Sequence, residues 1–260
     1  MSAANAKSLI CEVTGNHPVN NENFVLQFTW DGPPPKAGQF FMIKPIRGSC
    51  FLPRPISVFE FNSMQKTVKF LITIYGKGTS ELSQMKIDDK AELTGPIGNS
   101  WNDFLPENGK AALVGGSCGV APLAALAAEK PDYYFHFYAG FKKGFQNKEE
   151  ENAMLGAGVS TKKVIVTAED GVNALGGRIV DYLFEPQNYD VVFACGSLPM
   201  LKSVVEKCKS KGVSCYVSME RRMACGVGAC LGCTVTASKG NKRCCVDGPI
   251  FAAEEITINE

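Results

Sequence analysis

The stretch Leu113-Val-Gly-Gly-Ser-Cys-Gly-Val-Ala-Pro-Leu123 joins a buried apolar run to a glycine-rich turn and an Ala/Leu-rich segment. Residues 111–114 predict a strand and residues 121–129 predict a helix, with Pro122 tolerated in its first turn. Backbone N–H groups at such a helix start can bind an anion such as a dinucleotide pyrophosphate. The turn is not a strict G-x-G-x-x-G, so its spacing alone does not identify the ligand. Its candidate binding residues are Gly115, Gly116 and Gly119.

Downstream of this stretch, predicted strands alternate with helical patterns. This alternation implies right-handed crossovers and a mostly parallel sheet. The segment Cys195-Gly-Ser-Leu-Pro-Met200 follows a later strand, at the strand end where open α/β sheets place ligands. Cys195 and Gly196 are therefore further candidates, although a buried thiol is often only a packing residue. The predicted strands are 133–138, 164–167, 191–194 and 213–217, and the second helix is 199–211.

Upstream, residues 8 to about 100 contain short alternating stretches separated by turn signals. Asp31-Gly-Pro-Pro-Pro35 is a firm break between two of them. Many short strands at this spacing predict a small antiparallel barrel. The predicted fold is thus a β-barrel followed by a parallel-sheet domain and a small C-terminal cysteine-rich module. The predicted boundaries are 1–106, 107–217 and 218–260, and the predicted barrel strands include 24–28, 39–43, 67–75 and 91–94.

The composition excludes several classes of protein. The 260 residues are 45% apolar and carry a formal net charge of +1, which argues against nucleic acid or an anionic membrane as the main partner. No apolar run approaches the roughly 18 residues that a membrane span needs. The polar stretch at residues 1–7 lacks the apolar core of a signal peptide. We therefore expect a soluble cytoplasmic protein.

The chain has eleven cysteines and only two histidines, which argues against a histidine-based metal site or catalytic triad, and five of the cysteines fall between residues 225 and 245. In a reducing compartment such clustering favours metal ligation over disulfides. The segment Cys225-Gly-Val-Gly-Ala-Cys230-Leu-Gly-Cys233 has the C-x4-C-x2-C spacing of plant-type [2Fe–2S] sites. A four-cysteine zinc site, which favours paired short knuckles, and simple buried thiols are the alternatives.

Two short motifs in the barrel region could bind a phosphorylated cofactor. Arg54-Pro-Ile-Ser57 offers a guanidinium fork for a diphosphate and a hydroxyl for a ring nitrogen. Gly76-Lys-Gly-Thr79 suits a turn whose amides approach an anion closely. Each motif taken alone is equally consistent with an edge strand and a surface turn.

Together these motifs resemble the ferredoxin–NADP reductase superfamily. The tail, with Glu220-Arg-Arg-Met-Ala-Cys225 and Cys245-Val-Asp-Gly-Pro-Ile-Phe251, resembles the electron-transfer subunits of dihydroorotate dehydrogenase B, an NAD⁺-linked enzyme. The resemblance covers essentially the whole chain. It departs from the family at Ile72 and Thr73, where a Tyr and a cation are frequent, and at Ser117-Cys118, where Gly-Ile is usual.

This resemblance implies the cofactors FAD and a [2Fe–2S] cluster, with NAD as co-substrate. The FAD contacts that it implies are Arg54, Pro55, Ile56, Ser57, Leu71, Ile72, Thr73, Gly78 and Thr79. The implied cluster ligands are Cys225, Cys230, Cys233 and Cys245. Side chains of adjacent residues on an extended segment point to opposite faces, so only one of Cys244 and Cys245 can easily face the cluster. The Cys-x-Asp-Gly-Pro pattern of the family selects Cys245 and leaves Cys244 as a packed thiol.

The resemblance also implies a role and a partner. A separate FMN-containing catalytic subunit, in a heterotetramer of two copies of each chain, would supply electrons from dihydroorotate in pyrimidine biosynthesis. The cluster and FAD would pass these electrons to NAD⁺. A flavin subunit of an NAD(P)H–ferredoxin or hydrogenase-type complex and a non-enzymatic zinc-binding adaptor are the alternatives.

The end of the third predicted strand of the nucleotide domain bears on the choice of nicotinamide. In NADP-using relatives, the corresponding strand end resembles a Ser-Arg pair that binds the 2′-phosphate. Glu169 stands at the position of that Arg, with Asp170 beside it. A carboxylate can accept hydrogen bonds from ribose hydroxyls but repels a 2′-phosphate. The sequence therefore predicts a preference for NADH, although Lys142 and Lys143 could offer phosphate contacts and both acids could simply decorate a surface turn.

Overall fold

A computed structural model describes residues 6–156, 159, 163–182 and 185–258. Its N-terminal part is a seven-stranded antiparallel sheet in the order β4-β3-β7-β1-β2-β6-β5. Alternating apolar residues of these strands meet in one core, where Phe41 lies between Trp30 and Phe70 in edge-to-face contacts. The predicted antiparallel barrel is confirmed. Its elements are β1 (Lys7–Pro18), β2 (Asn23–Thr29), β3 (Phe40–Pro45), β4 (Arg54–Ser57), β5 (Glu60–Asn62), β6 (Thr67–Thr73), α1 (Lys77–Ser83) and β7 (Lys90–Ile97).

A second seven-stranded sheet, in the order β11-β10-β9-β8-β12-β13-β16, carries the nucleotide-domain motifs, and its last strand is β16 (Ile250–Ala252). Every pair in it is parallel except β13 with β16. The strand order reverses between β8 and β12, and in open α/β sheets ligands bind at such a reversal. The elements are β8 (Lys110–Gly116), α2 (Val120–Glu129), β9 (Tyr134–Phe141), α3 (Lys148–Leu155), β10 (Lys163–Ala168), β11 (Leu175–Gly176), β12 (Val191–Cys195), α4 (Leu198–Lys211) and β13 (Ser214–Ser218).

The C-terminal residues do not form a separate layer. After a two-stranded hairpin of β14 (Thr234–Ala237) and β15 (Gly240–Arg243), strand β16 (Ile250–Ala252) pairs with β13 at the edge of the parallel sheet. The side chain of Asn99, just after the barrel strand β7, exchanges two hydrogen bonds with the backbone of Ile250, at 2.8 and 3.0 Å. The cysteine-rich segment is thereby held against both larger sheets.

The described helices are short, and none combines the length and apolar character needed to cross a bilayer. The longest is α4, with 14 residues.

Candidate functional site

The side chain of Arg54, at the start of β4, lies directly over Gly78 in the first turn of α1. A Cβ added to Gly78 would lie 2.0 Å from Nε of Arg54, so the missing side chain makes room for the guanidinium. Nη1 of Arg54 donates to the carbonyls of Leu52 and Pro53, at 2.9 and 3.2 Å. Those bonds orient the flat fork, and such a fork suits the oxygens of a diphosphate.

The predicted turn at residues 76–79 is wrong, because Lys77 begins a helix. The hydroxyl of Thr79 accepts hydrogen bonds from the backbone N–H groups of Tyr75 and Gly76, at 2.9 and 3.2 Å. Amides at a helix start lack intrahelical partners, and this hydroxyl supplies one. Thr79 therefore stabilises the start of α1, and that role limits its freedom to contact a ligand.

The three candidates on β6 do not share a face. Leu71 packs in the core between the barrel and the nucleotide domain, whereas Ile72 packs inside the barrel. Side chains alternate across a strand, so Leu71 and Thr73 point one way and Ile72 the other. A ligand on the outer face could reach Ile72 only through its backbone. On β4, Pro55, Ile56 and Ser57 are all half-buried.

A chain of hydrogen bonds joins the barrel to the nucleotide domain. The hydroxyl of Thr73 donates to Oδ1 of Asn23 at 2.7 Å and lies 2.7 Å from Sγ of Cys118. Cys118 is in the 3-10 turn between β8 and α2. Burial raises the pKa of the Cys118 thiol to about 11, so it stays protonated at neutral pH and serves as a donor.

The two glycine-containing turns at the strand reversal meet closely. A Cβ on Gly119 would lie 2.3 Å from the carbonyl oxygen of Cys195, so the end of β12 approaches the start of α2 only because residue 119 is glycine. Gly116 likewise faces Gly196 across this contact. The structure thus brings together the candidates Gly115, Gly116, Gly119, Cys195 and Gly196.

Glu220 also belongs to this region, and sequence reasoning assigned it no role. The residue is exposed, yet desolvation of its carboxylate by neighbouring protein atoms raises its pKa. Its charge also raises the pKa values of the half-buried thiol of Cys118 and the buried thiol of Cys195, although desolvation is the larger cause for both. We call the region formed by Thr73, Cys118, Cys195 and Glu220 the interdomain cleft. The only sequence signal was the position of Glu220 at the start of the tail motif.

Glu169 and Asp170 follow β10 and differ in what they do. Oδ1 of Asp170 accepts from the backbone N–H groups of Gly144 and Val172, at 2.9 and 3.1 Å, and so joins two loops. The Glu169 side chain is exposed, and its backbone N–H donates to Phe141. Asp170 therefore has a structural task, and Glu169 is the more available of the two carboxylates for a ligand.

Four of the C-terminal cysteines form two pairs. The backbone N–H of Cys230 lies 3.4 Å from Sγ of Cys225, and Sγ of Cys233 lies 3.3 Å from Sγ of Cys245. Although burial opposes ionisation of Cys225, amides of the loop outweigh it and lower the pKa of this thiol to about 7. Among the described residues no three ligand side chains converge on one metal ion. Two pairs of cysteines, with loop amides directed at Cys225, fit a two-iron cluster better than a single zinc ion.

The sequence predicted that Cys244 and Cys245 lie on an extended segment, and this prediction is wrong. They are in a turn directly after β15, and both are fully buried. The two cysteines contact Cys233 differently. The sulfur of Cys245 lies near the sulfur of Cys233, whereas the backbone N–H of Cys244 donates to the carbonyl of Cys233 at 3.0 Å. The assignment of Cys245 as the fourth ligand remains a prediction with this contact in its favour.

The cysteine segment packs against the barrel. We call residues 225–233 the cluster loop. A Cβ on Gly226 would lie 3.0 Å from Met42 and 3.1 Å from Ile97, two residues of barrel strands. The residue that follows the first cysteine is thus in near contact with barrel strands β3 and β7, and Met42 pairs with Pro55, one of the candidate residues on β4.

Comparison with known proteins connects these features. Residues 220–257 match the iron–sulfur cluster binding domain of dihydroorotate dehydrogenase B. The dihydroorotate dehydrogenase B (NAD⁺) electron transfer subunit of Caldanaerobacter subterraneus subsp. tengcongensis is 38% identical over 249 residues, covering 94% of this chain and 96% of that protein. The chain belongs to this family of electron transfer subunits. The corresponding subunit of Clostridium acetobutylicum is 37% identical over 228 residues, covering 86% of this chain and 87% of its own length.

The fold has relatives among solved structures as well. A structure of an NADH-dependent reduced ferredoxin–NADP oxidoreductase superposes with a TM-score of 0.78 at 24% identity, covering 96% of this chain and 90% of the other. The cytochrome b5 reductase domain of Ulva prolifera nitrate reductase superposes with a TM-score of 0.62 at 16% identity, covering 79% of this chain and 93% of that domain. At these identities the likeness concerns the fold alone, and it confirms the expected barrel followed by a parallel-sheet domain.

Proposed function

We propose that this chain links an FMN-containing dihydroorotate dehydrogenase catalytic subunit to NAD⁺ in pyrimidine biosynthesis. Membership of the electron transfer subunit family supports the role. The observation that carries the proposal is the packing of Gly226 in the cluster loop against Met42 and Ile97 of the barrel. Two redox groups in neighbouring sites of one chain are what a relay between two partners requires.

In this proposal each cofactor is held by residues of this chain. Arg54 would bind the FAD diphosphate in the space left by Gly78, and Leu71 and Thr73 would face the flavin. Cys225, Cys230, Cys233 and Cys245 would ligate the [2Fe–2S] cluster. A flavin supplies both one-electron and two-electron chemistry, which suits it to stand between a one-electron carrier and a nicotinamide.

The residues of the interdomain cleft would bind NAD⁺ and exclude water from the flavin. The turn around Gly119 and the end of β12 at Cys195 would receive the dinucleotide, because strand reversals in α/β sheets are where such ligands bind. The thiols of Cys118 and Cys195 are neutral at pH 7, since burial raises the pKa of both. They would therefore offer uncharged contacts to a nicotinamide ring.

The assembly and its compartment are part of the proposal. We place two copies of this chain with two catalytic subunits, in a heterotetramer in the cytoplasm. All eleven cysteines are free thiols, as reducing conditions would maintain.

The test compares the purified chain with and without a dihydroorotate dehydrogenase catalytic subunit. The chain alone, loaded with FAD and cluster, should oxidise NADH with an artificial acceptor and should not oxidise dihydroorotate. Addition of the FMN subunit should produce dihydroorotate-dependent reduction of NAD⁺. Turnover of dihydroorotate by the isolated chain would refute the division of labour, and reduction of NAD⁺ by reduced ferredoxin but never by the dihydroorotate subunit would refute the partner.

A further inference from the structure

Arg243, the last residue of β15, connects three parts of the cluster region. Its Nη1 donates to the carbonyl of Gly228 at 3.1 Å, in the middle of the cluster loop. Its Nε donates to Oδ2 of Asp247 at 3.2 Å. The same carboxylate oxygen accepts from the Arg243 backbone N–H at 2.7 Å, and the Asp247 N–H donates back to the Arg243 carbonyl at 2.8 Å. A single guanidinium thus ties the loop to the segment that holds Cys245.

Arg243 binds the carbonyl of the peptide between Gly228 and Ala229, and the N–H of the same peptide faces the sulfur of Cys225. The carbonyl of Gly228 and the N–H of Ala229 belong to the same planar group, so they point in opposite directions. The Ala229 N–H is among the amides directed at Cys225, and the Gly228 N–H is directed at Cys245. A cation on the carbonyl fixes the orientation of this group and polarises its N–H as a donor.

Gly228 is shaped for this arrangement. Its φ is +79°, a left-handed conformation that favours glycine. A Cβ there would lie 3.1 Å from Nη1 of Arg243 and 3.1 Å from Val246. A side chain at residue 228 would therefore strain the left-handed backbone and crowd the Arg243 guanidinium.

We propose that Arg243 is a positioning residue for the cluster, which holds the peptide between residues 228 and 229 against it and raises its reduction potential. Reduction adds a negative charge, and amide donors to the sulfurs together with a nearby cation stabilise the reduced form. The inference rests on the cluster in the proposed function. Iron and sulfide analysis of the unaltered chain tests that cluster independently of any Arg243 variant.

The experiment is a redox titration of the full chain, followed by electron paramagnetic resonance of the reduced cluster. In Arg243→Gln, the ratio of reduced to oxidised cluster at a fixed potential should fall at least about tenfold, which is about 59 mV for a one-electron couple. Arg243→Lys keeps the charge but cannot bond Gly228 and Asp247 with one planar fork, so it should give an intermediate decrease.

The neighbouring Lys242 supplies a matched control. Its ammonium pairs with Glu255 at 2.7 Å, on the hairpin and away from the cluster loop. Lys242→Gln removes the same charge one residue away, and its titration should differ from that of the unaltered chain by less than about twofold. Equal shifts in the Lys242 and Arg243 variants, or an unchanged potential in both Arg243 variants, would overturn the proposal. Failure of both Arg243 variants to retain iron, while Lys242→Gln retains it and FAD binds normally, supports the proposal.

Discussion

The interdomain cleft and the cluster loop are built in contrasting ways. The cleft gathers Thr73, Cys118, Cys195 and Glu220 from both large sheets, and its shape follows from where strands end and where Gly119 lets them meet. The cluster loop is a short continuous segment without helix or strand, and backbone amides and the side chain of Arg243 organise it. One site therefore depends on tertiary packing, and the other depends on local hydrogen bonds and on ligation.

This difference implies that the two sites can be disabled separately. A change in the cluster ligands should leave the barrel core, which contains none of them, intact. A change at a glycine beside Arg54 should alter a cofactor contact without touching a cysteine. Each prediction below changes one site and uses the other as an internal reference.

The largest effect is expected for Cys245→Ala. Because the sulfur of Cys245 lies 3.3 Å from that of Cys233, its removal leaves one pair of ligands incomplete. Loss of one of four thiolates should abolish the visible [2Fe–2S] spectrum and the bound iron, while FAD content should remain.

The adjacent Cys244→Ala is the matched control for that change. Cys244 is fully buried, and its truncation removes one sulfur from an apolar core, so a modest loss of stability is expected. Its cluster spectrum should persist. A spectrum that survives in the Cys245 variant and disappears in the Cys244 variant would transfer the ligand assignment to Cys244.

Next in size is Gly78→Ala, which acts on the flavin side alone. The new methyl group would lie 2.0 Å from Arg54 Nε and force the guanidinium away, at little cost to the fold because a long side chain can move. FAD affinity should fall at least about tenfold, or about 1.4 kcal/mol, with the cluster spectrum unchanged. Fluorescence titration of the apoprotein with FAD measures it.

Gly76→Ala, two residues earlier, is the comparison. Its Cβ would meet nothing within 4 Å, so FAD affinity should stay within about twofold. Equal losses in the two variants would mean that the effect comes from α1 as a whole and not from Arg54.

The same contrast explains what the sequence could predict. The spacing of Cys225, Cys230 and Cys233 is local and depends on chemistry that any fold must satisfy, so it was readable directly. The barrel and the parallel sheet were also predictable, because the period of apolar residues determines them. The face of β6 on which Ile72 lies was not predictable. Both faces of this strand are buried, and the two cores that cover them are known only from the structure.

Other features were missed for two reasons: a local helix cap was not recognised, and some contacts form only between distant parts of the folded chain. The start of α1 at Lys77 relies on the Thr79 hydroxyl, whereas Gly and Thr in sequence suggest a turn. Strand β16 exists because β13 offers it an edge, although both are separated by the cysteine segment. Glu220 stands out only after folding brings its charge near Cys118 and Cys195. The division at residues 106 and 217 stays a prediction.

A smaller effect is expected for nicotinamide choice, which concerns the nucleotide domain only. NADH should be preferred over NADPH at least about tenfold in kcat/KM, or about 1.4 kcal/mol. Glu169→Gln removes a charge that would repel a 2′-phosphate. Such a repulsion is worth about 1 kcal/mol in water at 4 Å, so the preference should fall about fivefold. Glu206→Gln, an exposed change on α4, should leave the ratio as it is, and equal use of both nucleotides by the unaltered chain would remove Glu169 from the site.

The smallest effect is expected for the protonation of Glu220. In the interdomain cleft, packing desolvates this carboxyl, whereas in the cluster loop hydrogen bonds dominate. Enclosure raises the pKa of this carboxyl, so the folded chain binds its proton more tightly than the unfolded chain. Ionisation therefore costs stability as pH rises through the folded pKa, and the cost is absent at acid pH, where both states are protonated. Glu220→Gln, which cannot ionise, should unfold at a slightly higher temperature than the unaltered chain at pH 8. The difference should shrink towards pH 5.5. A lower unfolding temperature for Glu220→Gln at pH 8 would mean that the folded cleft stabilises the charged carboxylate, contrary to the desolvation that its walls impose.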